Sequence, residues 1–222
     1  GFTSRTGVDL PSETGFMQYY KANQLGEVQL ASSAFGQAMA ITPLQMCTAV
    51  AAAVNGGYLV TPHVVDKITD ANGNVIEEIG ANVRRQVVSE STSNVIRQIM
   101  EYEVGNGTGG GKYAYVSGYR IGGKSGTSEQ LNMDRRADGD YKKVASFAAV
   151  LPADDPEIIV YVMLDDPNNA RTDYSSLLAA PVVGNIISEI APYLGIATDG
   201  EDRSQTVVTV PNLVGTEWSS AQ

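Results

Sequence analysis

The chain has 222 residues, 43% of them hydrophobic and 18% charged, with a formal net charge of -10. That balance is globular rather than disordered and gives length for one domain with a tail. It argues against a nucleic-acid partner, because no basic run exceeds Arg84-Arg85, Arg135-Arg136 or Lys142-Lys143.

A sole cysteine, Cys47, excludes an internal disulfide and a cysteine-rich metal site, and a sole histidine, His63, excludes a histidine-rich one. We expect no metal and no cofactor. Low cysteine use suits cytosol or a bacterial exterior equally, so composition leaves the compartment open. No apolar run approaches the ~18 residues that span a bilayer. Gly1-Phe2-Thr3 is not an initiator start, so the chain is expected to begin inside a longer protein, with any membrane anchor lying upstream.

Residues 1–35 are polar and rich in glycine and tyrosine, and read as loops with one short helix. Thr42 as N-cap, Pro43 at the first helical position and Gln45 three after the cap form a capping box. The helix they open runs through Ala49 to Val54 and stops at Asn55-Gly56-Gly57; its small residues imply close backbone packing, with Cys47 as a small buried hydrophobe rather than a reactive thiol. Residues 64–80 predict a β-hairpin, Val64 to Thr69 and Val75 to Ile79 around Asp70-Ala71-Asn72-Gly73. A second helix is expected over Ser89 to Val104, with Val95, Ile96, Ile99 and Met100 at helical spacing. The following Gly105 to Gly111 is too glycine-rich for regular structure. Val144 to Leu151 and Ile158 to Leu164 read as antiparallel strands about the tight turn at Pro152 to Pro156. A last helix covers about Ser176 to Leu194, with Val182, Val183, Ile186, Ile187, Ile190 and Leu194 as its apolar face. Residues 197–205 form a polar linker, and Val207 to Gly215 starts a new strand-turn unit.

Gly122-Gly123-Lys124-Ser125-Gly126-Thr127 is the most informative segment, a cation and two hydroxyls among three glycines. Such a stretch suits a main chain that approaches an anionic or acyl ligand. Gly118 to Ser125 fits the phosphate-loop pattern, and Asp165-Asp166 mimics a metal-binding carboxylate at a strand end. A phosphate loop, however, needs its Lys and Ser to open a helix. Here Gly126 to Asp140 shows no apolar period and ends in turn formers, and the downstream strands are a hairpin rather than parallel. The alternative is acyl transfer by a serine enzyme that carries a Lys-Ser/Thr-Gly motif.

Ordered segments resemble the C-terminal half of the transpeptidase domain of class B penicillin-binding proteins. These are Gly1 to Glu13, Ser33 to Met46, Gly107-Thr108-Gly109 followed by Gly122 to Thr127, and Ala179-Ala180-Pro181, ordered matches across residues 1–195. Val210 to Gly215 is similar to the entry of an extracellular PASTA repeat. The resemblance divides the chain into a transpeptidase part at 1–196, the linker at 197–205 and a truncated PASTA start at 206–222. It implies an α+β fold of the β-lactamase/transpeptidase type, an antiparallel sheet flanked by helices. The final helix would cover one face and the small-residue helix the other, with the sheet incomplete.

The resemblance also implies a mechanism. A serine attacks the D-Ala-D-Ala carbonyl of a peptidoglycan stem peptide, D-alanine leaves, and the acyl group passes to an amine of a neighbouring stem; β-lactam antibiotics acylate the same serine. Substrate would add as a strand beside the motif. Ser125 and Thr127, on one side by alternation, would hold its carboxylate, and the Thr127 N–H would be an oxyanion donor. Lys124 would supply positive charge and Gly126 would keep the wall open. Glu129 reads as an exposed carboxylate. The family's Ser-x-x-Lys and Ser-x-Asn motifs are absent: no serine has Lys three residues on or Asn two residues on, and Thr92-Ser93-Asn94 falls inside a helix. The chain alone is therefore expected to be inactive and not to bind penicillin covalently. The resemblance places the parent on the outer face of the cell membrane of a Gram-positive bacterium, with cell-wall or division proteins as further partners. A non-catalytic scaffold of the same descent is the alternative.

Overall fold

The structure is a computed structural model that describes residues 1–14, 26–37, 39–105, 109–130, 133–167, 172 and 174–200. Its helices are α1 (Glu27–Ala34), α2 (Pro43–Val54), α3 (Glu90–Gly105) and α4 (Ser175–Tyr193). Its strands are β1 (Tyr58–Thr61), β2 (Lys67–Thr69), β3 (Val75–Glu78), β4 (Asn82–Gln86), β5 (Gly122–Glu129), β6 (Lys143–Leu151) and β7 (Ile158–Asp165). The expected linker from residue 201 onwards and the PASTA-like segment lie outside the described residues. Before that point the chain is still held to the domain, since the Asp199 N–H donates to the Gly118 carbonyl at 3.0 Å.

The central sheet is antiparallel in the order β5-β6-β7. Alternation sorts its residues between two covers. Phe147, Ala149 and Leu151 of β6, with Val160 of β7, meet Ala179, Ala180, Val183, Ile187 and Ala191 of α4. On the other face Val150 packs with Val54 of α2 and Met100 of α3, flanked by Ile96 and Ile159. The expected arrangement, antiparallel sheet between the final helix and the small-residue helix, is what forms, with α3 added beside α2. The apolar faces differ from the sequence reading in detail. On α4 Val183 and Ile187 are buried and Ile186 and Ile190 pack beside them as expected, whereas Val182 and the C-cap Leu194 are exposed and alanines and Gly184 complete the buried stripe. On α3 the seam is Ile96, Met100 and Val104, with Ile99 exposed. α4 is long and apolar enough to cross a membrane, at mean hydropathy 1.2, but its small-residue stripe is spent on this sheet.

The predicted α2 cap is present in full. Gln45 N–H donates to Thr42 Oγ1 at 3.1 Å, and Thr42 N–H donates to Gln45 Oε1 at 2.9 Å. At the other end Arg97 Nη1 donates to the Val54 carbonyl at 2.8 Å, and Ser93 Oγ accepts the Gly56 N–H at 3.0 Å. Ser93, the nearest approach to a Ser-x-Asn motif, is thus a fully buried cap receptor for the turn after α2. Gly57 has φ +94, and a Cβ there would lie 1.9 Å from the Val88 carbonyl oxygen, so only glycine fits.

The hairpin expected over 64–80 forms with shorter strands, β2 pairing β3. The antiparallel pair β1–β4, which the sequence reading did not anticipate, lies beside it in sequence. β4 carries Arg84-Arg85 and is exposed throughout, so it gives no burial period to read. The glycine-rich stretch after α3 is more regular than expected: Gly110–Ala114 form a short 3-10 turn. Gly111 there lies so close to α3 that a Cβ would sit 2.9 Å from the Glu103 carbonyl oxygen. A bidentate ion pair ties α3 to the β5 approach: Arg120 Nε and Nη2 each meet the buried Glu101 carboxylate at 2.7 Å, and Asp154 binds the third nitrogen. That pairing, through its hydrogen bonds to Glu101 above all, raises the Arg120 pKa and keeps it charged.

The N-terminal segment is held by carboxylates rather than by apolar burial. Glu13 accepts from Thr6 N–H (2.6 Å), the Thr6 hydroxyl (2.8 Å) and Gly7 N–H (3.0 Å). Asp9 accepts from Val64 N–H (2.8 Å) and Val65 N–H (2.9 Å). Burial pushes the Glu13 carboxyl up, but the hydrogen bonds from Thr6 and Gly7 together outweigh it and hold it below its ordinary 4.5. Asp9 is held below its ordinary 3.8, first by the Val65 N–H and then by Val64. Depressed carboxylates stabilise in full above their ordinary pKa and lose that contribution as pH falls through the folded value. Hydrogen-exchange protection at Thr6, Gly7, Val64 and Val65 is therefore expected to fall relative to Phe147 and Val150 between about pH 6 and about pH 3. A constant ratio of protection over that range would contradict this account.

Candidate active site

Among the described residues β5 is an edge strand, and its composition is explained first by packing. A Cβ on Gly123 would meet the Phe147 ring at 2.5 Å, and one on Gly122 would meet Val150 at 3.0 Å and Met100 at 3.1 Å. These glycines let the ring and α3 close on the strand. Gly126 differs: it is exposed, and among the described residues only Ser146 Oγ, at 3.0 Å, lies near its missing Cβ. The glycines first read as clearing space for a ligand thus divide, with Gly122 and Gly123 serving the core and Gly126 the open surface.

The register Lys124↔Ala148, Ser125↔Phe147, Gly126↔Ser146, Thr127↔Ala145 places each side chain. Ser125 and Thr127 share the α4 face, as alternation predicted, while Lys124 and Gly126 share the opposite face. Lys124 is exposed, and its Nζ donates to the Ser125 carbonyl at 2.9 Å. Thr127 is exposed on the strand edge and is gripped at two points. Gln37 Nε2 donates to its carbonyl at 3.0 Å. On the α4 side its Oγ1 lies 3.0 Å from Ser175 Oγ and accepts the Ser175 N–H at 3.3 Å. Since the Thr127 carbonyl turns outward to Gln37, the N–H of the same residue points outward as well, away from β6. Glu129 is exposed and faces Lys143 in the register.

Gln37 and Ser175 were missed as site residues. Gln37 stood inside the motif from Ser33 to Met46 with no sign that its side chain reaches β5. Ser175, at the start of a helix, reads as an ordinary capping serine; here the N-cap is Tyr174, without a side-chain cap, and Ser175 turns across to Thr127. His63 is exposed. Cys47 is half-buried, and burial pushes its thiol pKa up, which suits packing and not nucleophilic attack.

The phosphate-loop alternative fails on geometry. Lys124 and Ser125 lie inside an extended strand, and no helix follows among the described residues before β6. Asp165 is engaged by Gln130 Nε2, and Asp166 pairs with Arg136 at 2.7 Å.

The model of the penicillin binding protein transpeptidase domain matches residues 1–188. The chain belongs to this family. It is 36% identical over its whole length to stage V sporulation protein D of Bacillus subtilis, covering 35% of that protein. It is 34% identical to a probable peptidoglycan D,D-transpeptidase FtsI of Caulobacter vibrioides, over 82% of this chain and 30% of the relative. Penicillin binding protein 3 of Mycobacterium tuberculosis, solved with ampicillin, superposes with a TM-score of 0.75 at 28% identity, over 91% of this chain and 46% of that one. The chain thus spans about a third of the length of the sequence relatives it matches, and the class B resemblance carried by its motifs holds.

The two glycine roles separate in stability. Gly123→Ala is expected to cost about 1–3 kcal/mol through overpacking against Phe147, less in a Phe147→Leu background. Gly126→Ala, facing one hydroxyl, is expected to cost under about 1 kcal/mol. Chemical denaturation measures both, and the reverse order would refute the assignment.

Proposed function

We propose that this chain supplies one wall of the acyl-transfer cleft of a serine-type peptidoglycan D,D-transpeptidase. The observation that carries the proposal is the outer edge of β5, on which no strand pairs among the described residues and where Lys124-Ser125-Gly126-Thr127 presents an outward peptide, a cation and two hydroxyls. A stem peptide or a β-lactam is read as adding along this edge, as an extra strand would. The Thr127 N–H is then one oxyanion donor, worth roughly 3 kcal/mol of transition-state stabilisation. The hydroxyls of Ser125 and Thr127 receive the ligand carboxylate, and Lys124 adds positive charge from the other face of the strand. Gly126 leaves the approach clear.

In the reaction the serine oxygen forms an ester with the penultimate D-alanine carbonyl, and the terminal D-alanine departs with the proton on its amine. The ester carbonyl is then attacked by an amine of a second stem, releasing the serine. The serine and its base are proposed to lie in the part of the protein upstream of Gly1, because no serine here has a lysine three residues on. Residues 1–196 are read as belonging to the transpeptidase domain, 197–205 as a linker and 206–222 as the start of a PASTA module. Activity on stem peptides places the protein on the outer face of the cell membrane, with β-lactams as inhibitors.

The test compares this chain with the longer protein that includes its upstream sequence. Fluorescent penicillin followed by a denaturing gel should label the longer protein and leave the 222-residue chain unlabelled. Gly126→Val in the longer protein should remove the label while its melting curve stays close to that of the parent. A covalent band on the chain alone would overturn the assignment of the nucleophile, and full labelling of Gly126→Val would overturn the role of the β5 edge.

A further inference from the structure

We propose that Ser175 is a positioning residue for the proposed acylation site, fixing the hydroxyl of Thr127 so that it donates to the carboxylate of the incoming ligand. The inference rests on the reading of Thr127 as a ligand-binding residue and adds a member that lies 48 residues away in sequence. Ser175 is 3% exposed, so its own hydroxyl is out of reach of a ligand, whereas Thr127 is exposed on the strand edge. A buried hydroxyl must find partners inside the protein. Both groups that Ser175 offers are directed at one atom, Thr127 Oγ1: its N–H at 3.3 Å and its Oγ at 3.0 Å.

The proton arrangement follows from what each oxygen can do. Without ligand, Thr127 Oγ1 accepts the Ser175 N–H and gives its proton to Ser175 Oγ. When a carboxylate approaches the exposed side of Thr127, that proton turns outward to the anion. The Ser175 hydroxyl then rotates to donate to Thr127 Oγ1, so no buried oxygen loses its partner. An oxygen that accepts two hydrogen bonds is a better donor, because each bond polarises the next. Ser175 can play this part because it does not cap its own helix: Tyr174 is the N-cap, and no side-chain cap is made. The first turn of α4 also holds no acidic residue, so no fixed negative charge from that turn competes with the ligand.

The experiment uses the full-length protein and two probes, benzylpenicillin and its methyl ester, which lacks the carboxylate charge. Ser175→Ala is expected to slow acylation by the free acid about tenfold and to leave the ester rate unchanged. In a Thr127→Val background the same Ser175→Ala change should add nothing to the acid rate, because the residue acts through Thr127. A general packing defect would slow acid and ester alike and lower the melting temperature; that outcome overturns the proposal. So does an unchanged acid rate in Ser175→Ala while Thr127→Val is impaired, which leaves the ligand-binding reading of Thr127 standing. An acid rate unchanged by Thr127→Val would overturn that underlying reading and this inference with it.

Discussion

The missing side chains of Gly122 and Gly123 set the geometry on which the rest depends. With nothing on the strand to hold them off, the Phe147 ring and Val104 of α3 close on Gly123 from one face, and Val150 and Met100 of α3 close on Gly122 from the other. Close packing of this sort is intolerant of a single added methyl. It pins the first half of β5 rigidly, so that the second half, from Lys124 to Thr127, leaves the core as an ordered edge rather than a loose loop. A reacting carbonyl needs donors placed within fractions of an ångström. A strand anchored in the core at one end delivers that more cheaply than a loop does.

The same sheet explains how a short motif reaches two surroundings. Alternation sends Lys124 to the face of α2 and α3, and Ser125 and Thr127 to the face of α4. The amine and the hydroxyls therefore do not converge on one point. They flank the edge from above and below, a geometry that suits a ligand lying along the strand and not a compact anion held in a nest of amides. Helix α4 closes the hydroxyl side, and Gln37, close after α1 in sequence, reaches the edge peptide itself. Thr127 is thus the point at which distant parts of the chain meet.

Much of this was legible in the sequence. The capping box of α2, the β6–β7 hairpin and the antiparallel sheet between helices all rest on local signals: a Thr-Pro-x-Gln spacing, two apolar runs and a proline-bounded turn. The β1–β4 pair was not legible, because β4 is exposed along its whole length and shows no alternation. The apolar stripe of α4 was legible except at its margins, Val182 and Leu194. Val183 and Ile187 are buried as expected, but alanines and Gly184 share that face, so Val182 beside them is left outside. At the site, the motif residues were plain but their partners were not. Gln37 and Ser175 reach Thr127 only through the tertiary fold, and nothing in their own neighbourhoods marks them.

Gln45 shows how narrowly one side chain can be specified. Its oxygen takes the Thr42 N–H to complete the α2 cap, while its nitrogen donates to the Ser4 carbonyl at 2.8 Å and holds the N-terminal segment against the helix. Glutamate would satisfy every rule of helix entry at this position, with equal propensity and an equally good capping oxygen. It has no proton to offer Ser4, and at neutral pH it would set a buried carboxylate against a carbonyl oxygen. The amide is required for having two unlike ends. A substitution that looks silent from the helix would therefore release the Ser4 carbonyl from α2 while leaving the helix itself intact.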